Sequence, residues 1–210
     1  MHYVTIPGID GSDHEHWQSI WEAEWGQRAS RISVSSWALP ELDDWCDAID
    51  RAVLQVRSPG AVLVAHSLGC LAAARWMARR RPGVAGVFLV APPDRAGALF
   101  PAAAATFADA AEGPLDAAGL IVSSDNDPYC ANDAGDRLAR VWALPRVSAG
   151  PVGHINSASR LGRWDSGHAL LTAFTAGLRA QRADWPSSRA SRSSFSAGRS
   201  RRRPASGAGR

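Results

Sequence analysis

VLVAHSLGC, residues 62–70, is the stretch whose reading decides the fold. The apolar run Val62, Leu63, Val64, Ala65 leads straight into His66 and Ser67, and the small-residue stretch Leu71, Ala72, Ala73, Ala74 follows. A short apolar run of this kind reads as a buried parallel strand, and the alanines read as a helix. Between them lies the pattern of a nucleophile elbow, a tight strained turn that lifts one hydroxyl, here that of Ser67, clear of the sheet. A backbone can fold that sharply only if the residues two before and two after the serine are tiny. They are Ala65 and Gly69. Alanine therefore stands where the G-x-S-x-G pattern has its first glycine, and it still fits. The plainer reading is a buried strand followed by a serine helix cap.

A serine nucleophile needs a base and a group to orient that base. Both lie downstream, in the chain order Ser, acid, His of the α/β-hydrolases. After the apolar residues Leu120, Ile121 and Val122 comes SSDNDPYC, which puts Asp125 and Asp127 just past a strand end. After Arg146, Val147 and Ser148 comes AGPVGHIN, which puts His154 in a glycine-flanked loop. Open α/β sheets build their sites at the carboxyl ends of the strands, so these residues converge in space. Taken singly, an aspartate before proline is a turn residue and a loop histidine is solvated. The conjunction points to chemistry. On the residues alone the acid stays open between Asp127 and Asp125.

The composition fits one enzyme-sized domain. A chain of 210 residues, 46% apolar and 20% charged, is ordinary for a soluble globular protein with a substantial core. No apolar run approaches the roughly 18 residues of a membrane span, so no membrane partner is expected. The N-terminus MHYVTIPG has neither the basic region nor the long apolar region of a secretory signal. Cys46, Cys70 and Cys130 show no CxxC spacing and read as free thiols, which makes the cytoplasm the expected location. The net charge of +3 is unevenly spread. Seven arginines and no acids follow Ser187, leaving sixteen arginines against twenty acids in the rest. Residues 1–186 are therefore expected to form a mildly acidic domain. Residues 187–210, rich in Arg and Ser with Phe195 as the one large apolar residue, are expected to be a disordered tail. Arg201, Arg202 and Arg203 could attract nucleic acid through charge alone, but no specific nucleic-acid partner is expected.

Alternating β and α patterns imply an α/β fold of about six mostly parallel strands flanked by helices. Strands are expected near residues 2–6, 31–35, 61–66, 84–91, 119–123 and 145–149. The first helix is expected to open with a capping box, Ser12 to Glu15, and carries Trp17, Trp21 and Trp25 along one face. The second places Leu42, Trp45, Ile49, Val53 and Val56 on one face, and a third follows Ser67 to about Arg81. Further helices are expected near 131–142 and 167–183. The alanine-rich stretch 97–111 is short enough to rim a site but hardly to enclose one.

Four blocks in order, IPGIDGSDHEHWQSIWE, VAHSLGC, SSDNDPYC and GHINSASRLGRW, resemble the small YdeN-like serine hydrolases. That family includes the retinoblastoma-binding-protein-type hydrolases. The resemblance covers about residues 1–180 and implies a compact α/β-hydrolase with little or no cap and esterase-like activity on small ester substrates. It carries the family's catalytic residues onto Ser67, Asp127 and His154. The family's L-x-C-x-E retinoblastoma-binding motif is absent around Cys46, so that partner is not expected.

The implied chemistry is acyl transfer, with His154 taking the Ser67 proton and Asp127 holding the imidazole. The oxyanion would be met by backbone N–H groups, that of Leu68 after the nucleophile and that of Ile9 in the glycine loop IPGIDG. No cofactor and no metal are required; His14, Glu15 and His16 lack the spacing of a zinc helix. His66 is expected to point away from the site, His168 to lie at the surface, and Cys70 and Cys130 to be buried structural thiols. A protein-interaction module that keeps the fold without turnover is the alternative reading.

Overall fold

A computed structural model describes residues 1–56, 60–79, 84–109 and 113–183. The expected tail, the domain boundary at 186 and the end of the third helix near Arg81 lie outside the described residues.

Six strands form one open, fully parallel sheet: β1 (His2–Ile6), β2 (Ala29–Arg31), β3 (Ala61–His66), β4 (Val84–Val90), β5 (Gly119–Ser123) and β6 (Arg146–Ser148). Their spatial order is β2-β1-β3-β4-β5-β6. Among the described residues five α-helices flank the sheet: α1 (Trp17–Trp25), α2 (Leu42–Leu54), α3 (Leu68–Ala78), α4 (Asn132–Trp142) and α5 (Asp165–Ala183).

The period of two in the strands sorts their side chains onto two cores. Leu63 and Ala65 of β3, with Val87 and Leu89 of β4, join the core under α2, α3 and α4. Val62 and Val64, with Phe88 and Val90, face α1 and α5. The tryptophan stripe of α1 anchors that second core, with Trp17, Trp21 and Trp25 all buried and Trp21 stacked on Trp164. Burying an aromatic side chain of this size stabilises the fold by about 1.5–3 kcal/mol.

Two expectations shift. The second strand occupies residues 29–31, starting two and ending four residues earlier than expected, and Ile32 N–H still reaches the Thr5 carbonyl at 3.1 Å. The first helix starts at Trp17, and its cap is His16, whose Nδ1 accepts from Gln18 N–H at 3.1 Å. Ser12 does not cap it, because its hydroxyl donates to Gln18 Oε1 at 2.7 Å. Asp13 instead turns the chain by accepting from the Glu15 and His16 N–H groups. The loop after β1 is thereby lengthened, and its residues become free to line the site.

The alanine-rich stretch forms two short 3₁₀ turns within Ala102–Asp109, kinked at Ala104, with Ala104 and Phe107 buried. Phe107 meets Trp45 edge to face, and Thr106 accepts from Leu42 N–H at the start of α2. The described part of this segment packs on α2.

Candidate active site

The strand order reverses direction on either side of the β1–β3 pair, so the crevice at their carboxyl ends is where an open α/β sheet places its site. Ser67 stands at this point with φ 52° and ψ −126°, a backbone conformation few side chains adopt. Such a residue stores on the order of 1–3 kcal/mol of strain, held only because its surroundings fix it. The surroundings here are tight. A Cβ on Gly69 would come within 2.2 Å of the Ile6 carbonyl oxygen, and one on Gly8 within 2.8 Å of Ser67 Cβ. Ala65, in contrast, is accommodated in the fully buried strand.

His154 arrives from the loop after β6. Its Nε2 lies 2.8 Å from Ser67 Oγ, and its Nδ1 lies 2.9 Å from both carboxylate oxygens of Asp127. Because Asp127 can only accept, Nδ1 carries the proton and Nε2 is left to accept from the serine hydroxyl. Asp127 Oδ1 also accepts from Tyr129 N–H at 2.9 Å, and the Tyr129 ring lies 4.5 Å from that of His154. Ser67, Asp127 and His154 are all buried.

Asp125 is not part of this chain of contacts. It is exposed and accepts from Ser148 Oγ at 2.6 Å. Its neighbours hold the histidine loop instead. Ser124 Oγ accepts from Val152 N–H, and Asn126 Oδ1 accepts from Gly153 N–H at 2.7 Å. On the other side, Trp17 Nε1–H donates to the Ile155 carbonyl at 2.8 Å. Ile155 has φ 52°, a genuine outlier for a β-branched residue, and is fully buried.

His66 corrects an expectation. Its side chain does not leave the site; the parity of β3 sends it toward α1, directly beneath the histidine loop. His66 Nε2–H donates to the His154 carbonyl at 3.0 Å, and the two rings lie 5.1 Å apart. Burial holds the His66 imidazole well below its usual pKa, with His16 and His154 adding to the effect. It stays neutral and serves as a strut.

A cavity of about 280 Å³ opens over Ser67. Ile9 and Leu68 line it beside the serine, as do His16, Tyr129, Asn156 and Pro101. Leu68 opens α3, so its N–H belongs to the turn that lacks intrahelical acceptors. His16, Ser124, Asn126 and Tyr129 were missed as site residues in sequence. Their neighbours SSDNDPYC and IPGIDG were the available signal.

The other candidates sit elsewhere. His14 and Glu15 are exposed, and among the described residues no group of three or more His, Cys, Asp or Glu converges as a metal site. His168 is half-buried, edge-on to Trp21. Cys70 Sγ donates to the Val90 carbonyl, and burial pushes its thiol pKa well up; burial pushes Cys130 up to about 12. Neither is poised as a thiolate. Among the described residues no helix is long and apolar enough to cross a membrane.

The fold is that of an α/β-hydrolase. The family model described as serine hydrolase matches residues 3–173, and the chain belongs to that family. Among solved structures it is similar to a YdeN-like hydrolase from Pectobacterium atrosepticum, at 33% identity and TM-score 0.76, covering 84% of this chain and 91% of that one. It is also similar to the ydeN gene product of B. subtilis, at 19% identity and TM-score 0.68, covering 84% and 100%. Est1E from Butyrivibrio proteoclasticus, solved with ferulic acid bound, shares the fold at 14% identity and TM-score 0.61, covering 86% and 89%. None of the curated proteins matches the chain.

Proposed function

We propose that this serine hydrolase cleaves carboxylic esters of small substrates through a Ser67–His154–Asp127 triad and an acyl-enzyme intermediate. The observation that carries the reading is the unbroken relay from Ser67 Oγ through His154 to Asp127, at 2.8 and 2.9 Å. His154 takes the serine proton as Oγ attacks the ester carbonyl, then returns it to the leaving alcohol. Asp127 holds the imidazole in its tautomer and stabilises the imidazolium. The N–H groups of Leu68 and Ile9 meet the developing oxyanion. Water then repeats the attack and frees the acid, so the chemistry calls for no cofactor. Three buried cysteines, none in a disulfide, support a reducing, cytoplasmic setting for this activity.

The cavity sits at the small end of ligand pockets, about 300–1,000 Å³, and supports a preference for short acyl chains. Two measurements test the proposal. A fluorophosphonate probe should label Ser67 and fail to label Ser67→Ala. Across C2 to C12 p-nitrophenyl esters, kcat/KM should peak at the short end. Absence of labelling in the folded protein would leave the interaction-module reading standing; a maximum at C8 or longer would overturn the small-substrate reading.

A further inference from the structure

One polar atom beside the Ser67 cavity has no role in holding the fold. His16 lines the cavity with Ser67 and His154, and its side chain is 97% buried, at 3% exposure. Its Nδ1 is committed as the acceptor for Gln18 N–H, which places the ring proton on Nε2. That Nε2–H is buried without any hydrogen-bond partner. A buried donor left unpaired is unfavourable, and few native structures retain one without a reason. Burial lowers the His16 pKa to about 4, so the ring is a neutral donor at neutral pH.

The wall around His16 is built to stay in place. The Asp13 carboxylate accepts from the His16 N–H at 3.0 Å and from Ser157 Oγ at 2.8 Å, tying the loop after β1 to the loop carrying His154. The His16 ring rests 4.8 Å from that of His66, which is itself pinned to the His154 carbonyl. A donor fixed on a residue that lines the cavity can recognise an acceptor that a substrate presses against that wall.

We propose that His16 is a specificity residue, whose Nε2–H donates to a second oxygen of the bound ester, near the scissile carbonyl. The favoured substrates are then oxygen-bearing short esters, such as alkoxy, hydroxy or keto esters, rather than plain alkyl ones. This rests on Ser67 being the nucleophile.

Isosteric esters that differ only in O against CH₂ test it: p-nitrophenyl methoxyacetate against p-nitrophenyl butyrate for the acyl side, and 2-methoxyethyl acetate against butyl acetate for the alcohol side. Each enzymatic kcat/KM ratio is divided by the ratio for hydroxide hydrolysis, which removes the intrinsic reactivity difference. The wild-type enzyme should prefer the oxygen-bearing member of at least one pair by about 10-fold after this correction. His16→Asn keeps a side-chain oxygen able to cap α1 but removes the buried donor. It should abolish the corrected preference, through KM more than kcat. A purely structural role would lower both members of a pair equally. No corrected preference in the wild-type enzyme for either pair overturns the proposal, and that measurement stands even if the variant does not fold. A preference that survives in folded His16→Asn overturns it as well. Fluorophosphonate labelling of Ser67 in the same samples reports separately on the nucleophile.

Discussion

The elbow at Ser67 and the loop at His154 meet across 2.8 Å, yet they are held in opposite ways. The elbow is strained and held by close backbone packing. A buried strand, one positive φ and two glycines in close contact, Gly8 and Gly69, leave the serine no other place. The histidine loop is strained too, with positive φ at Gly153 and Ile155 on either side of His154. Its restraints come from far away in sequence: Trp17, His66, Ser124 and Asn126 each take one of its backbone groups. The proposed nucleophile is fixed by close backbone packing, and the proposed base by hydrogen bonds to the loop that carries it. Damage to the two regions should therefore look different.

The largest expected effects remove the chemistry itself and strike both regions alike. Ser67→Ala and His154→Ala should each lower kcat for p-nitrophenyl acetate on the order of 10⁴-fold or more, because the groups act as a unit. Asp127→Asn should cost about 10⁴-fold by setting the wrong tautomer. Asp125→Asn, which loses only the Ser148 contact, should cost far less. Reversed sensitivities at 125 and 127 would move the acid by two residues.

The elbow breaks as a matter of folding. Gly69→Ala drives a methyl group into the backbone carbonyls of Ile6 at 2.2 Å and Pro7 at 2.5 Å, neither of which can step aside. Overpacking of this kind costs about 3 kcal/mol, which lowers the melting temperature by roughly 6–12 °C in a protein this size. An unchanged melting temperature would mean that the helix start is looser than these contacts imply.

The same contrast sets what could be read in the sequence. The elbow lies in nine consecutive residues, whose apolar run reads as a buried strand. Ser67, His154 and an acid at 125 or 127 stood out because each ends a strand or follows one, and the choice of Asp127 came from the family resemblance. The struts were not, since nothing in Trp17 or Asn126 announces a partner 138 or 27 residues away. His66 was misjudged for the same reason. Its position beside the nucleophile suggested a side chain turned from the site, whereas strand parity and the distant histidine loop decide what it touches. The first helix was started too early because Ser12 to Glu15 fits a capping pattern, and only tertiary contacts assign Ser12 to Gln18 and the cap to His16.

His16 and His66 join the two regions, and acid should loosen that joint. Both are buried and neutral in the folded protein, with pKa values below the ordinary 6.5, at about 4 for His16. The unfolded chain therefore takes up more protons below pH 6.5, and stability is full above that value and falls as pH drops toward 4. Each histidine contributes a slope of up to about 1.4 kcal/mol per pH unit in this window. Urea unfolding at pH 7.5, 6.0 and 5.0 measures it. A stability that stays level or rises on acidification through this range would show that the two rings are not held neutral.

The smallest expected effect tests the histidine loop alone. Trp17→Phe keeps an aromatic ring in the second core but removes the N–H that Ile155 carbonyl accepts at 2.8 Å. That buried acceptor is left unpaired, at a cost of about 1–3 kcal/mol. Relieving it requires the Ile155 backbone to leave its left-handed conformation, and the residue that moves with it is His154. The elbow has no contact with the Trp17 N–H, so Ser67 stays where it is. The expected result is a fall in kcat of about 10-fold, from a base that is in place only part of the time, with KM little changed. The melting temperature should fall by only a few degrees. Loss of thermal stability with kcat intact would show that His154 is held by Asp127 and Asn126 without help from α1. The division between a serine fixed by close packing and a histidine fixed by hydrogen bonds to its loop would then have to be redrawn around the β5 loop.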